Sequence, residues 1–439
     1  MTDFLIRGAD VLGRGVADIA IQDGRIVDPE LLATGDHETV EAAGLVALPG
    51  LVDMHTHLRE PGKEDAETVL TGSRSAASGG FTCVHAMANT APVADTAGVV
   101  EQVHRLGRAA GFTEVVPVGA VTTGLEGRQL AELGAMARSG ARVRMFSDDG
   151  ICVSDPLLMR RALEYVKTFD GIIAQHAQEP RLTEGAQMNE SALSSELGLA
   201  GWPAVAEESI IARDVLLAQH VNSRVHICHV STAGSVELIR WAKSQGINVT
   251  AEVTPHHLLL TEDYVKTYDP VYKVNPPLRK DSDVHALRQG LADGTIDTVG
   301  TDHAPHTAET KQCEWVVAAM GMTGLETALP VIQRTMIDTG LLDWHAVARV
   351  MSVNPAAIYR HTDQGQLTDS GSLVQGAVAN LAIYDPNHTF VVNPAQHASK
   401  SANSPYKDME LSGQVTDVFY RGHRVVADAE LTTPYQHSY

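Results

Sequence analysis

The central part of the chain alternates apolar strand patterns with helical patterns, and this alternation constrains the fold more than any other feature. Eight segments have the length and apolar composition of buried strands: 51–57, 81–88, 114–121, 143–146, 172–176, 224–230, 248–254 and 295–301. Helical patterns lie between them, for example over 155–169, 205–220 and 235–245. Strands that alternate with helices predict a parallel sheet, and eight such units predict an α/β fold, a closed (β/α)8 barrel of the TIM type.

Both ends of the chain carry short β-type runs separated by turn residues. Such runs occupy 4–8 and 17–27 near the start, and 379–385, 389–392 and 415–426 near the end. Because these β-rich ends flank a different middle, we predict that together they form one small β-sandwich. The predicted domains are 1–49 for the first part of the sandwich, 50–368 for the barrel and 369–439 for the second part of the sandwich.

Two histidines stand two positions apart at the end of the first predicted barrel strand, His55 and His57. Residues i and i+2 of a strand point to the same face, so both imidazoles can bind one metal ion. Other metal-type side chains end further predicted strands: Asp148, Asp149, His176, His229, Asp302, His303 and His306. Barrels of this type place their chemistry at the C-terminal strand ends, so these groups should meet at one mouth. Nitrogen and oxygen ligands suit Zn²⁺ or a similar first-row metal, and their number predicts two ions that share a bridging carboxylate.

Composition limits the class of protein and of partner. The net charge is −21, from 54 acidic and 33 basic residues without a long run of one sign. This balance argues against a nucleic-acid partner and for a soluble, cytoplasmic protein. No stretch approaches the roughly 18 apolar residues of a membrane span, and Met1-Thr2-Asp3 does not begin a secretion signal. The four cysteines are far apart in the sequence, which predicts reduced, structural thiols: Cys83, Cys152, Cys228 and Cys313.

Six motifs, in this order, carry a resemblance to a known family: His-Leu-Arg-Glu-Pro-Gly (57–62), Met-Ala-Asn-Thr-Ala-Pro (87–92), Phe-Ser-Asp-Asp-Gly (146–150), Thr-Pro-His-His (254–257), Asn-Pro-Pro-Leu-Arg (275–279) and Thr-Asp-His-Ala-Pro-His (301–306). Over nearly its whole length the chain resembles the long, bacterial type of dihydroorotase in the amidohydrolase superfamily. The resemblance implies reversible cyclisation of N-carbamoyl-L-aspartate to L-dihydroorotate in pyrimidine biosynthesis, with two Zn²⁺ ions per chain. It also makes a homodimer, or an assembly with aspartate transcarbamoylase, an expected form of the protein.

The resemblance also implies a role for each site residue. The implied metal ligands are His55, His57, Asp149, His176, His229 and Asp302. Asp302 would in addition move the proton between water and the ring nitrogen, and its alternative role is that of a helix N-cap before Ala304-Pro305. The implied contacts of the substrate carboxylate are His57, Arg59, Asn89 and His306, and a guanidinium does match a carboxylate in geometry. Weaker substrate contacts are implied for Asn275 and for the backbone of Met320 and Gly321.

The chain departs from the pattern at two places. Ala88 stands where the family commonly has proline, so the turn before Asn89 has less rigidity. Many amidohydrolases bridge their metals with a carboxylated lysine on the fourth strand, whereas this strand has Arg142 and Arg144. A guanidinium is always protonated and does not add CO2. The resemblance assigns the bridge to Asp149, with Asp148 as the alternative.

Two other functions compete with this interpretation. Another cyclic amidase, such as a dihydropyrimidinase or an allantoinase, would usually have the strand-four lysine and lack the pairing of Arg59 with Asn89. A non-catalytic scaffold for aspartate transcarbamoylase would usually have lost metal ligands. We expect His256 and His257, which follow the seventh strand, to support or pack around the site and not to bind metal. The loops 273–280 and 306–320 are the candidates for closing over the substrate.

Overall fold

The computed structural model describes residues 2–32, 36–359 and 372–437. Its strands, in chain order, are β1 (Phe4–Val11), β2 (Val16–Gln22), β3 (Arg25–Val27), β4 (Glu38–Glu41), β5 (Val46–Pro49), β6 (Leu51–Thr56), β7 (Phe81–Ala86), β8 (Glu114–Pro117), β9 (Met145–Phe146), β10 (Ile172–Gln175), β11 (Met188–Asn189), β12 (Gly201–Trp202), β13 (Val225–Ile227), β14 (Val249–Val253), β15 (Thr298–Val299), β16 (Leu381–Val391), β17 (Glu410–Tyr420), β18 (His423–Ala427) and β19 (Glu430–Leu431).

The helices, in the same order, are α1 (Val69–Ser78), α2 (Ala97–Ala110), α3 (Leu133–Arg138), α4 (Pro156–Val166), α5 (Ala192–Leu197), α6 (Val205–Val221), α7 (Ala233–Ser244), α8 (Pro255–Leu259), α9 (Asp281–Asp293), α10 (Ala308–Lys311), α11 (Ala328–Ile332), α12 (Trp344–Ala348) and α13 (Asn354–Tyr359). Short 3-10 or π segments lie at Pro29–Leu32, Thr123–Leu125, Lys167–Phe169, Glu262–Thr267, Pro270–Tyr272, Leu325–Thr327, Gln333–Ile337, Arg349–Val353 and Pro394–Gln396.

Eight parallel strands form the barrel: β6, β7, β8, β9, β10, β13, β14 and β15. These strands form two sheets, one of three strands and one of five. A single parallel β-bridge joins the two sheets at each edge and so closes the ring. One bridge joins Gly119 to Phe146, and the other joins Thr56 to His303. Each of the eight predicted strands contains one observed strand, so the predicted (β/α)8 barrel is confirmed.

The barrel has an inner and an outer apolar layer. Alternate strand residues such as Val52, Met54 and Met145 pack inside it, while others pack under the surrounding helices. Helix α4 shows how these helices are set. Asp155 caps it by accepting from the Leu158 N–H at 2.8 Å, and Pro156 fits the first turn, where no backbone donor is needed. The cap and the apolar face together hold the helix against β10.

Both ends of the chain contribute to a separate nine-stranded sheet, made of β1–β5 and β16–β19. Strand β5 pairs antiparallel with β16, so Pro49, the last residue before the barrel, lies opposite Leu381. The core of this sheet includes Phe4 and Phe419, whose rings lie 5.0 Å apart edge to face. The predicted sandwich built from both termini is confirmed. The domain limits stay predictions, and the limit at Asp369 lies outside the described residues.

None of the described helices combines the length and the apolar character that crossing a bilayer requires. All four cysteines are unpaired, and Cys83, Cys152 and Cys228 are buried, as the sequence predicts.

Candidate metal centre and substrate pocket

Four imidazoles surround one buried carboxylate, Asp149, at the C-terminal mouth of the barrel. Its Oδ1 lies 3.2 Å from His55 Nε2, 3.4 Å from His176 Nδ1 and 3.3 Å from His229 Nε2, and its Oδ2 lies 3.2 Å from His57 Nε2. These donors form two groups of metal-ligand geometry, one with His55 and His57 and one with His176 and His229. Asp149 belongs to both groups, which is the position that a bridging ligand must occupy.

The second nitrogen of three of these rings is held by another side chain. His55 Nδ1 lies 2.5 Å from Glu252 Oε1, and His57 Nδ1 lies 2.9 Å from Asn89 Oδ1. His176 Nε2 lies 2.8 Å from Gln178 Oε1. Histidines that bind metal almost always use their other nitrogen in this way. His55 Nε2 is buried and has no hydrogen-bond partner among the described residues, so the donor set fits a metal ion.

Local backbone irregularities direct these side chains into the mouth. Successive residues of a strand normally face opposite sides, but the pairing of β6 with β7 shifts register between Asp53 and Thr56. His55 can therefore face the interior of the barrel, where the preceding residue, Met54, also packs. Two further residues adopt left-handed conformations just after their strands, with φ 30° at His229 and 46° at Asp302. Such positive φ values are uncommon for residues other than glycine and often occur at functional sites.

Asp302 lies against the first group of histidines. Its Oδ1 is 3.1 Å from His57 Nε2 and 3.6 Å from His55 Nε2. Burial opposes its ionisation, but the hydrogen bond from His57 and the charges of His55 and His57 lower the pKa of Asp302 to about 2. The alternative role as a helix N-cap does not apply, because the next helix, α10, begins after Thr307.

The two neighbouring aspartates after the fourth barrel strand have different surroundings. Asp148 Oδ1 accepts from the backbone N–H groups of Val121 and Thr122, at 2.8 and 3.0 Å, and thereby ties the fourth strand to the third. Burial alone would raise the pKa of Asp149, but the charge of His55 and hydrogen bonds from the histidines hold it well below its ordinary value. The placement favours Asp149 as the bridge. Arg144 instead donates to the carbonyl of Ala137 at 2.8 Å, away from the cluster.

A buried arginine lies beside the histidine cluster. Arg59 is 8% exposed, has a φ of 61°, and donates through Nε to the carbonyl of Pro305 at 3.0 Å. Its Nη2 lies 3.5 Å from His306 Nε2, and within the described part of the chain it forms no ion pair with a carboxylate. Burial lowers the pKa of His306 to about 3, helped by the charge of Arg59, so this imidazole is neutral. The pocket therefore contains a guanidinium with unused donors.

The weaker predicted contacts lie on two loops near this guanidinium. Asn275 donates through Nδ2 to Gln178 Oε1 at 3.1 Å, while its Oδ1 is buried without a partner in the described chain. The carbonyl of Met320 accepts from His306 Nε2 at 2.9 Å, and the N–H of Gly321 donates to the backbone carbonyl of Lys273 at 3.0 Å. Only glycine fits at 321, because φ is 147° and a Cβ would come within 2.7 Å of His306 Nε2.

Two buried lysines tie these loops to each other. Lys311 Nζ donates to the carbonyls of Lys273 and Ala319, both at 2.8 Å, and Lys273 Nζ donates to the carbonyl of Trp315 at 2.6 Å. Burial, and next the charge of Lys273, lower the pKa of Lys311 to about 7. The two loops predicted as candidates for closure are therefore joined, and we expect them to move as one unit.

Of the two histidines after the seventh strand, His257 forms two hydrogen bonds, whereas His256 Nε2 has no hydrogen-bond partner among the described residues. His257 bonds Thr254 Oγ1 at 2.7 Å and the carbonyl of Pro276 at 3.1 Å, which supports the loop that carries Asn275. His256 Nε2 is buried without a partner in the described chain, and burial lowers its pKa to about 4. Neither belongs to a group of metal-ligand geometry within the described residues.

Sequence reasoning missed two residues that contact the histidines. Gln178 stands two positions after His176, so the same spacing that identified His55 and His57 could have found it. Glu252 is a charged residue inside an apolar strand, which is itself unusual for a buried parallel sheet. It contacts the side chain of His226 and the backbone N–H of His229.

Known proteins resemble this chain over most of its length. A family model described as dihydro-orotase-like matches residues 44–235. The dihydroorotase of Streptomyces coelicolor is 64% identical over 98% of this chain and 100% of its own length. The dihydroorotase of Mycobacterium tuberculosis is 53% identical over 97% of this chain and 99% of its own length.

Solved structures agree on the fold. The L-hydantoinase (dihydropyrimidinase) of Arthrobacter aurescens superposes with a TM-score of 0.87 at 25% identity, covering 99% of this chain and 98% of that one. The dihydropyrimidinase of Brevibacillus agri superposes with a TM-score of 0.85 at 22% identity, over 99% and 97%. The barrel and its terminal sheet are thus shared with cyclic amidases, while the extent and degree of sequence identity decide the family. This chain belongs to the dihydroorotase family.

Proposed function

We propose that the protein is a metal-dependent dihydroorotase, which interconverts N-carbamoyl-L-aspartate and L-dihydroorotate in the cytoplasm as a step of pyrimidine biosynthesis. One observation carries the choice of substrate: a buried guanidinium, Arg59, stands beside the histidine cluster and forms no ion pair with a carboxylate of the described residues. Dihydroorotate carries a carboxylate that the Arg59 guanidinium can bind, whereas dihydrouracil has no carboxylate. The family membership supports the same substrate.

We propose that the metal is zinc, with two ions per chain that share Asp149. The ligands would be His55, His57 and Asp302 on one side and His176 and His229 on the other. When bound, zinc lowers the pKa of a coordinated water to about 7 and polarises a carbonyl oxygen. All these ligands are nitrogen or carboxylate oxygen, which suits zinc.

The chain's own residues bind the substrate and move the proton. Arg59 would hold the substrate carboxylate, helped by Asn89 and by the loops that carry Asn275 and His306. Asp302 would accept the proton of the attacking water and deliver it to the ring nitrogen as the C–N bond of the cyclic amide breaks. In the direction of cyclisation the same carboxylate would take the proton from the carbamoyl nitrogen as the C–N bond forms, and would return it to the oxygen that leaves as water.

An assay of the purified protein with three cyclic amides tests this proposal. We expect turnover of L-dihydroorotate and at most trace turnover of dihydrouracil and allantoin, because neither of these presents a carboxylate to Arg59. Bound zinc per chain should be measured on the same sample. Preference for dihydrouracil would favour a dihydropyrimidinase, and metal content near zero without turnover would favour a scaffold.

Replacement of Arg59 by methionine should weaken substrate binding much more than metal binding. The loss of a charge-assisted pair costs about 1.5–3 kcal/mol, which is roughly 10- to 150-fold in affinity for dihydroorotate. Arg59 offers no lone pair to a metal, so zinc content should stay at the wild-type level. Substrate titration and metal analysis of the same preparation check both parts.

A matched control for this variant is Arg424→Met in the terminal sheet. Arg424 pairs with Asp417, far from the mouth, so this variant should lose only stability. If Arg59→Met loses its zinc but binds dihydroorotate normally, the assignment of Arg59 is wrong.

A further inference from the structure

A second carboxylate lies deeper in the barrel than the ligand cluster and has no solvent contact. Glu252 stands on β14 and is 0% exposed. Its Oε1 lies 2.5 Å from His55 Nδ1, and its Oε2 lies 3.2 Å from His226 Nε2. The backbone N–H of His229 also donates to Oε1 at 3.3 Å. One side chain of the seventh barrel strand therefore contacts groups from the first and sixth strands.

The neighbouring eighth strand leaves room for this carboxylate. A Cβ on Gly300 would lie 2.7 Å from Glu252 Oε2 and 2.8 Å from its carboxyl carbon. Real Cβ atoms do not approach other atoms so closely, so any side chain at 300 would displace Glu252. The hydrogen-bond donors around Glu252 offset the free-energy cost of burying its acidic group.

We infer that Glu252 is a positioning residue that fixes the hydrogen of His55 on Nδ1 and turns the Nε2 lone pair of that ring toward the metal. The inference rests on the proposed metal centre and deepens it. Glu252 would thereby determine which nitrogen of His55 can bind a metal, and it would not itself contact the substrate.

The hydrogen-bond chemistry of the two groups leads to this assignment. An ionised carboxylate only accepts hydrogen bonds, and an imidazole that binds a metal is neutral and carries a single N–H. Because Glu252 faces Nδ1 of His55, the hydrogen must sit on Nδ1, and Nε2 is left with the lone pair that a metal needs. Nε2 is also the atom that points at Asp149 and lacks a hydrogen-bond partner in the described chain.

His226 completes the arrangement on the other side of the carboxylate. Its Nε2 faces Glu252, so it donates there, and its Nδ1 can accept from Thr250 Oγ1 at 2.9 Å. Each donor then has an acceptor along the series from Thr250 through His226 to Glu252. This series holds the carboxylate in the orientation that His55 requires.

Glu252 also belongs to a group that could itself hold a metal, together with His55 and Cys228. His55 Nδ1 and Glu252 already bond each other. The hydrogen-bonding role therefore explains the group better than a third metal does.

Two variants of Glu252 test the inference with metal binding as the readout. Glu252→Met keeps the volume but offers no comparable acceptor, and we expect the affinity of the His55–His57 site to fall about 10- to 100-fold. Glu252→Gln should lose less, because its amide oxygen can still accept from His55. Its NH2 can donate to His226 Nε2 once the hydrogen of that ring moves to Nδ1, where Thr250 Oγ1 can accept it. Apoprotein is titrated with zinc against a competing chelator. Cobalt replaces zinc in a parallel experiment, so that its absorption spectrum shows the change in coordination.

Glu114→Gln is the matched control. Glu114 is a buried glutamate on β8 that bonds the hydroxyl of Tyr420 at 2.7 Å, away from the cluster. It should lower stability without changing metal affinity. Unchanged metal affinity in both folded Glu252 variants would overturn the inference and leave the proposed function standing. Absence of metal binding by the wild type would instead overturn the metal centre itself.

Discussion

Asp302→Asn is expected to fold, to retain at least one metal and to lose nearly all turnover, by about 10²- to 10⁴-fold. The amide keeps the size of the carboxylate and one oxygen that can face His57. It does not accept and return a proton at neutral pH, so the transfer from water to the ring nitrogen has no carrier. The kcat for L-dihydroorotate is compared between the variant and the wild type, and zinc content and thermal stability are measured on the same samples.

Asp417→Asn provides the control for this loss. Asp417 is also a buried aspartate, but it pairs with Arg424 in the terminal sheet, so its amide variant should be less stable and fully active. Asparagine caps helices as well as aspartate does, so a capping role would predict an active Asp302→Asn protein. Near-normal turnover of this variant would remove Asp302 as the proton carrier.

The barrel could be predicted from the sequence because its strands are buried on both faces. Such strands appear as continuous apolar runs, and all eight were located. For seven of the eight strands, the predicted C-terminal limit lies one to four residues beyond the observed one. The predicted strand over 114–121, for example, ends at Pro117 in the structure. Residues at the mouth leave strand geometry to direct side chains inward, and periodicity carries no information about that change.

The proposed ligand set could be predicted from the sequence for a related reason. Polar residues at the ends of parallel strands meet at one mouth, so His55, His176 and His229 could be placed together without coordinates. The contacts that orient these imidazoles could not be predicted, since Glu252 lies on the strand after that of His229 and far from His55 in the sequence. The loop connection through Lys273 and Lys311 was also missed. It depends on backbone carbonyls, which every residue possesses.

The proposed bridge, Asp149, would distinguish this chain from amidohydrolases that use a carboxylated lysine. Arg144 lies immediately before the fourth barrel strand and bonds the backbone, and a guanidinium does not add CO2. Metal-free wild-type protein should therefore recover full activity when zinc is restored in buffer free of CO2. Added bicarbonate should give no further gain in rate. Recovery that depends on bicarbonate would show that a carbamate, and not Asp149, supplies the bridge.

Asp149→Ala should then lower the occupancy of the two-metal state. Its carboxylate lies within 3.2–3.4 Å of four imidazole nitrogens, and without it two cations would face each other with no negative group between them. Asp148→Ala is the sharpest comparison, because the side chain of that neighbour bonds only Val121 and Thr122 among the described residues. It should cost stability and keep both metals. Metal analysis of the two variants decides between them: full loading of Asp149→Ala, with loss of metal in Asp148→Ala, would move the bridge by one residue.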